Sequence, residues 1–148
     1  HFITWGGGEC ERIHGHNYRV AVEVEDDLDS NYYVFDFIAL RDITAGIVGE
    51  LDHRMLLPAR NERISVGREG SNTVARFGDR YWSFPTEECV VLPVPNTTAE
   101  KLAEYIGGRL FETFASRGMK APRRLKVEVE ENFGQWGMVE MDGHEPRS

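Results

Sequence analysis

The chain is organised around one stretch, Cys10-Glu11-Arg12-Ile13-His14-Gly15-His16-Asn17-Tyr18. It places a thiol and two imidazoles directly before an alternating run of apolar side chains, which is typical of a strand. Because side chains on a strand alternate between its faces, we expect His14 and His16 to point the same way. Two imidazoles that converge with only Gly15 between them suit zinc. The stretch therefore predicts a metal-centred active site, with Cys10 bound to the metal or beside it.

A third metal ligand has to come from elsewhere in the chain. A catalytic zinc usually takes three protein ligands and keeps a fourth position open. Without a third ligand, two histidines on a polar sheet face are the plainer interpretation. The candidates are His1, His53, Cys10 and His144. His144 lies in a polar tail, which is typical of a solvated residue.

Composition limits the class of protein. A chain of 148 residues, 41% of them hydrophobic, predicts one domain over residues 1–148 with a real core. The net charge of −8 argues against a nucleic-acid partner, which requires a basic face. No apolar run approaches the roughly 20 residues of a membrane helix. Two cysteines are too few for a disulfide framework, so we expect a cytoplasmic protein with reduced thiols. Since the chain begins at His1 rather than Met, we also expect residues upstream of it.

The hydrophobic patterns predict an α+β domain with an antiparallel sheet and two helices packed on one face. The first helix runs from Phe37 to about Glu50 behind an N-cap at Asp36. The second begins where Thr97 and Glu100 have capping-box spacing, and it ends near Gly118. Strands are predicted at residues 17–25, 32–35, 124–131 and 136–141.

Residues 59–95 lie between the two helices and read as an insertion. A hairpin is predicted from residues 73–77 and 81–84 around Gly78-Asp79, followed by a short strand over residues 89–92. This insertion either reshapes the mouth of the site or covers an edge strand.

The two thiols differ in their surroundings. Cys10 stands between a glycine run and two imidazoles, an electropositive setting that is expected to lower its pKa. Cys89 lies in the apolar run Val90-Val91-Leu92 and is more simply a buried structural thiol.

Two further acidic motifs have two interpretations each. Asp52-His53 is either an imidazole at a helix C-terminus or a carboxylate-oriented histidine that moves a proton. Glu130 and Glu131, at the end of a strand, are by default a solvated pair, and a binding role for either is the alternative.

Six elements, taken in order, carry a resemblance to a known family. They are His1-Phe2, Cys10-x3-His14-Gly15-His16-Asn17-Tyr18, Val34-Phe35-Asp36-Phe37, Leu51-Asp52-His53, Asn96-Thr97-Thr98-Ala99-Glu100 and Val127-x-Val129-x-Glu131. In this order the chain resembles the 6-pyruvoyl-tetrahydropterin synthase and 6-carboxy-tetrahydropterin synthase family over nearly its whole length except residues 59–93. The resemblance implies a tunnelling fold (ββ-α-α-ββ) and a homo-oligomer, a trimer or hexamer, with active sites between subunits.

The resemblance also implies roles for individual residues. It makes His1, His14 and His16 the ligands of a Zn²⁺ cofactor and Cys10 the catalytic thiol. It makes Asp52 and His53 the proton-transfer group. It makes Glu131 the anchor of the pterin amino-pyrimidine edge, with Glu130 as the alternative because Asn132 stands where the family commonly has threonine.

The implied substrate is a pterin, 7,8-dihydroneopterin triphosphate. The Cys-x3-His-Gly-His spacing favours the branch that forms 6-carboxy-tetrahydropterin for queuosine-type biosynthesis. The alternative is the branch that forms 6-pyruvoyl-tetrahydropterin by triphosphate elimination. Two other classes stay open: a zinc-dependent hydrolase or aldolase-like enzyme on the same fold, and a non-catalytic, zinc-stabilised oligomeric module.

Overall fold

A computed structural model of the chain describes residues 1–143. In that range the chain forms two α-helices and ten strands. In order they are β1 (Thr4–Trp5), β2 (Glu9–Cys10), β3 (Arg19–Glu25), α1 (Phe37–Gly49), β4 (Met55–Pro58), β5 (Ser65–Glu69), β6 (Asn72–Phe77), β7 (Arg80–Pro85), β8 (Cys89–Leu92), α2 (Ala99–Ser116), β9 (Arg124–Asn132) and β10 (Gln135–Asp142). Over the same residues, no helix combines the length and apolar character needed to cross a membrane.

The main sheet is antiparallel, with the strand order β10-β9-β3. Val20 pairs with Val129 and Val22 with Val127, so one face of the sheet presents a continuous row of valines. α2 packs on β9 and β10, and α1 packs on α2. Side chains from both helices and from this face share one core. The predicted α+β class is confirmed.

The predicted N-cap forms in α1 but not in α2. The Asp36 carboxylate accepts the backbone N–H groups of Ile38 and Ala39 at 2.9 and 3.0 Å, as predicted for the N-cap of α1. In α2 the N-cap is Thr98, whose hydroxyl accepts the Lys101 N–H at 3.4 Å. The predicted capping box at Thr97 is therefore wrong. Thr97 and Thr98 both carry a hydroxyl that could cap the helix. The Thr97 hydroxyl contacts His1 instead, so Thr98 caps α2.

The region of residues 59–95 is more extensive than a hairpin. The predicted hairpin forms from β6 and β7, with Gly78 at φ 55° in its turn. β5 adds a third strand to it. β4 pairs in parallel with β8, a contact that the sequence did not predict. A second small core, made of Phe2, Leu57, Ile64 and Ala75, joins this region to the start of the chain.

The strand predicted at residues 17–25 forms as β3 but begins at Arg19, and the strand predicted at residues 32–35 does not form. Residues 11–18, including His14 and His16, have no regular secondary structure. Residues 32–35 are also irregular, because the Asp29 carboxylate accepts the N–H groups of Asn31 and Tyr33 at 2.7 and 3.0 Å. A side chain that captures backbone donors in this way competes with strand pairing.

Candidate metal centre and active site

His1, His14 and His16 face one another, and we call them the imidazole cluster. Their ring centroids are 4.7 to 5.2 Å apart. Reciprocal backbone hydrogen bonds hold His1 against His14: the His14 N–H donates to the His1 carbonyl at 3.1 Å, and the His1 amino nitrogen donates to the His14 carbonyl at 2.9 Å. The predicted convergence of these histidines is therefore confirmed, although a folded loop and not a strand face produces it.

Hydrogen bonds to carbonyl groups decide which ring nitrogens are available. His14 Nδ1 lies 2.8 Å from the Arg12 carbonyl, and His1 Nδ1 lies 3.0 Å from the Thr97 carbonyl. Because a carbonyl only accepts, each Nδ1 carries the proton and each Nε2 keeps its lone pair. His16 Nε2 is buried without a hydrogen-bond partner in the described residues.

The cluster fits a zinc ion. Each histidine offers one nitrogen, and these atoms lie within 4.8 Å of one another. Nitrogens that share a zinc at about 2.0–2.1 Å are roughly 3.4 Å apart, so small side-chain rotations bring the three into range. A buried imidazole nitrogen with no partner is costly unless something binds it. The donor set, three neutral imidazoles, is one that catalytic zinc uses.

Glu131 faces the cluster, whereas Glu130 does not. Glu131 Oε1 lies 3.4 Å from His1 Nε2 and 3.5 Å from His16 Nε2. Glu130 is 6% exposed, and its carboxylate accepts the Gly134 N–H at 2.8 Å within the β9–β10 turn. The default interpretation of a solvated pair is therefore wrong for Glu130, since the turn uses that side chain.

Three residues that lie at the site were not predicted to belong to it from the sequence. Tyr18 donates to Glu131 Oε1 at 3.3 Å and lies 3.2 Å from His1 Nε2; burial and the Glu131 carboxylate raise the pKa of its phenol. Thr97 is fully buried, with its hydroxyl 3.2 Å from His1 Nδ1. Glu11 Oε2 is buried without a hydrogen-bond partner among the described residues and lies 3.8 Å from His14 Nε2. The available signals were the acid directly after the cysteine and a second hydroxyl before the helix.

A cavity of about 550 Å³ extends from the cluster. Asp52 and His53 line it at the end of α1, and Phe84 and Glu88 line it from the 59–95 region. The insertion therefore helps to shape the cavity. A smaller cavity of about 330 Å³ adjoins it at His16 and is lined by Glu131. Both volumes are in the range of small-molecule sites.

Asp52 and His53 form a pair on the surface of the larger cavity. Asp52 Oδ1 lies 3.0 Å from His53 Nδ1, and the side chains are 68% and 92% exposed. The His53 backbone has φ 55°, a left-handed conformation that directs the chain out of α1 and into β4. A carboxylate on Nδ1 leaves Nε2 free to exchange protons.

Cys10 differs from its prediction. It is half-buried, with its thiol 3.6 Å from the Glu11 carbonyl, and it is not among the described residues that line either cavity. Burial raises the pKa of the Cys10 thiol, and the opposing influence of Arg80 does not overcome it. The expectation of a lowered pKa was wrong, because burial outweighs nearby positive charge. Cys89 is also half-buried and packs on the second small core. The fourth ligand candidate, His144, lies outside the described residues.

Residues 1–142 match the family model described as 6-pyruvoyl tetrahydropterin synthase. The chain belongs to this family. It is 30% identical over 134 residues to a putative 6-carboxy-5,6,7,8-tetrahydropterin synthase of Methanocaldococcus jannaschii, an alignment that covers 90% of the chain and 82% of the relative.

Solved structures of 6-pyruvoyl tetrahydropterin synthases share the fold. One of them is a Plasmodium vivax 6-pyruvoyltetrahydropterin synthase in which alanine replaces a glutamate named as a catalytic residue. It aligns with a TM-score of 0.87 and 26% sequence identity, and the alignment covers 95% of this chain and 88% of that one. A shorter match joins the chain to a dihydroneopterin monophosphate aldolase of Pyrococcus furiosus, 44% identical over 48 residues, which cover 32% of this chain and 41% of the relative.

Proposed function

We propose that the chain is a zinc-dependent lyase that acts on 7,8-dihydroneopterin triphosphate and forms 6-carboxy-5,6,7,8-tetrahydropterin. The observation that carries the proposal is the imidazole cluster, whose three histidines line the larger cavity and of which His16 also lines the smaller one. The name of the Methanocaldococcus jannaschii relative supports the 6-carboxy product. The alternative product is 6-pyruvoyl-tetrahydropterin, which the description of the family favours.

His1, His14 and His16 would hold the zinc. A zinc bound by neutral imidazoles supplies Lewis acidity, which lowers the pKa of hydroxyl groups that bind beside it. Thr97 and the Arg12 carbonyl keep the rings of His1 and His14 in the tautomer that this binding needs.

Glu131 would anchor the pterin. A carboxylate accepts two parallel N–H bonds from an amino-pyrimidine edge, which fixes the position and orientation of the ring. Glu131 lines the smaller cavity, Asp52 and His53 line the larger one, and His16 lines both. We therefore place the pterin ring at Glu131 and its side chain across the cluster, towards His53.

Cys10 and His53 would move the protons. In the proposed roles the Cys10 thiolate removes a proton from a carbon of the substrate side chain, and His53, oriented by Asp52, exchanges the hydroxyl proton. Cys89 offers a matched control, since both thiols are half-buried and burial raises the pKa of both. We expect Cys10→Ala to abolish turnover and Cys89→Ala to leave it near the wild-type rate.

The direct test is incubation of the zinc-loaded protein with 7,8-dihydroneopterin triphosphate, followed by product identification. Acetaldehyde together with a 6-carboxy pterin supports the proposed function. A 6-pyruvoyl pterin without acetaldehyde selects the alternative. No turnover by a fully zinc-loaded protein refutes both, and the non-catalytic module then becomes the better account if chelation unfolds the chain.

An aldolase-like reaction is a second candidate, and Glu11 favours it. Its carboxylate has an oxygen without a hydrogen-bond partner 3.8 Å from His14 Nε2, and one relative is named as a dihydroneopterin monophosphate aldolase. A carboxylate there would serve as the base of a retro-aldol cleavage. The test measures the cleavage of dihydroneopterin monophosphate by the Glu11→Gln and Cys10→Ala variants. An activity lost only in Glu11→Gln supports this reaction. Equal loss in both variants argues against a separate role for Glu11.

We also propose that the chain forms a homo-oligomer, a trimer or hexamer. Large apolar side chains that are exposed include Tyr32, Tyr33, Phe37 and Ile38, which cluster around the start of α1. Exposed apolar patches of this kind mark association surfaces. Light scattering after size exclusion tests the proposal, and a monomer at micromolar concentration would refute it.

A further inference from the structure

The loop that carries Cys10 and Glu11 is tied to the 59–95 region by one arginine. Arg80, the first residue of β7, donates from Nη1 to the Cys10 carbonyl at 2.7 Å and from Nη2 to the Glu11 carbonyl at 2.9 Å. Hydrogen bonds from a charged donor are stronger than neutral ones, and a planar guanidinium fixes two acceptors at once. These two carbonyls therefore have a defined position relative to β7.

The Arg80 guanidinium is itself held in place by an aromatic contact. Its guanidinium carbon lies 4.6 Å from the centroid of the Trp82 ring, and Trp82 stacks on Phe2 at 4.5 Å with 25° between the planes. Phe2 is completely buried and directly follows His1. A continuous series of contacts thus runs from the Cys10–Glu11 carbonyls through Arg80 and Trp82 to the neighbour of His1.

The other side of the same loop is held by backbone pairing. Cys10 pairs with Thr4 in the β1–β2 ladder, and the Glu11 N–H donates to the Ile3 carbonyl at 3.0 Å. Beyond Glu11 the chain has no regular secondary structure until β3. Arg80 thus acts where the ladder ends and the cluster-bearing loop begins.

We propose that Arg80 is a positioning residue that fixes Cys10 and Glu11 relative to the imidazole cluster. Its effect on turnover rests on the proposed function, whereas its effect on the loop does not. The assignment also gives the 59–95 region a specific part in the site beyond lining the cavity. Arg80 touches neither cavity, so it acts through the loop and not on the substrate.

Arg76 provides a matched control on the same small sheet. Its guanidinium carbon lies 4.5 Å from the Tyr81 ring centroid and it pairs with Glu69 at 2.8 Å, so it repeats the cation–π contact without reaching the loop. The comparison is between Arg80→Ala, Arg80→Lys and Arg76→Ala, all zinc-loaded, with kcat and KM for 7,8-dihydroneopterin triphosphate. We expect Arg80→Ala to lower kcat about 10- to 100-fold with KM changed less than about threefold, since misplacing a reacting group by an ångström has that effect. Arg80→Lys should recover part of the loss, and Arg76→Ala should match the wild type.

Amide hydrogen exchange, measured by mass spectrometry, reports on the order of the loop independently of enzymatic turnover. Arg80→Ala should speed exchange in peptides covering residues 9–16, which contain the Glu11 and His14 amides, and leave α2 unchanged. If the wild type has no turnover, the proposed function fails and this exchange still decides the inference. Unchanged exchange in residues 9–16, or an Arg80→Ala kcat equal to that of the wild type, overturns the inference. If Arg80→Ala does not fold, Arg80→Lys is judged by the same two measurements against Arg76→Ala.

Discussion

The imidazole cluster and the Asp52–His53 pair line the same cavity, but the surrounding protein supports them very differently. His1 is buried, and its ring contacts the carbonyl of Thr97, which lies 96 residues further along the chain. His53 is 92% exposed, and its ring contacts the carboxylate of its neighbour in sequence, Asp52. The cluster is thus ready to bind before any ligand arrives. The orientation of the pair therefore depends on a local contact, whereas that of the cluster depends on tertiary contacts.

Removing a cluster imidazole should have the largest effect. We expect His16→Ala to lose zinc and to reduce turnover by on the order of 10³-fold or more, because two imidazoles hold zinc weakly and its Lewis acidity is lost with it. Zinc per chain, measured by mass spectrometry, is read beside product formation. Full zinc content in His16→Ala would show that the cluster is not the metal site.

Removing the exposed imidazole should separate catalysis from stability. We expect His53→Ala to keep its zinc and its unfolding temperature, since exposed ion pairs contribute roughly 0–1 kcal/mol. Its turnover should fall by about 10²- to 10⁴-fold, the usual contribution of a general acid or base. Calorimetry and kinetics on the same sample check this. A large drop in unfolding temperature would mean that the pair is structural.

Two glycines differ in how closely the fold packs around them: Gly137 lies against the start of α2, and Gly46 lies on the exposed face of α1. A Cβ on Gly137 of β10 would clash with the Glu100 backbone nitrogen, whereas nothing lies within 4 Å of a Cβ on Gly46. We expect Gly137→Ala to destabilise the fold by about 2–3 kcal/mol. Gly46→Ala should stabilise it by about 0.5–1 kcal/mol, because Gly46 is an exposed helix-interior position. Urea unfolding of both variants measures the difference, and similar effects of the two would contradict the contrast.

The smallest effect concerns the ion pair that links α2 to Glu50, directly after the end of α1. Arg109 of α2 donates to both carboxylate oxygens of Glu50 at 2.8 and 3.0 Å and lowers the pKa of that carboxyl. A lowered pKa adds stability above the unfolded value of about 4.5, and this stability is lost as the pH falls through the folded value. Since Glu50 is about half exposed, we expect Glu50→Gln to cost less than about 1 kcal/mol at neutral pH. The cost should vanish in acid; a constant difference in urea unfolding from neutral to acid pH would contradict it.

Local patterns predicted those parts of the fold that local contacts build. The alternating valines of β3 become one face of the sheet, and the Asp36 carboxylate caps α1, because both depend on spacing within a few residues. The pairing of β4 with β8 was missed because the two strands are parallel and the three strands of another sheet, β5 to β7, separate them in the sequence. β8 matches the strand predicted at residues 89–92, whereas the four residues of β4 have too little periodicity to be recognised as a strand.

The site divides along the same line. The convergence of His14 and His16 was predictable because only Gly15 separates them, although the strand assumed to produce it does not form. The buried Thr97 beside His1 and the guanidinium on the Cys10 carbonyl are contacts between distant parts of the chain. Neither leaves a local pattern. The burial that raises the pKa of the Cys10 thiol comes from the same distant packing.

The contact between His1 and Thr97 joins positions 96 residues apart, and this separation has a kinetic consequence. Closing so long a loop costs chain entropy, so contacts of this kind form late in folding. We therefore expect the unfolded chain to bind zinc weakly and the folded chain to bind it strongly, so that the metal stabilises the native state by mass action. In a refolding experiment, zinc uptake would then mark the final step, when the two distant segments meet.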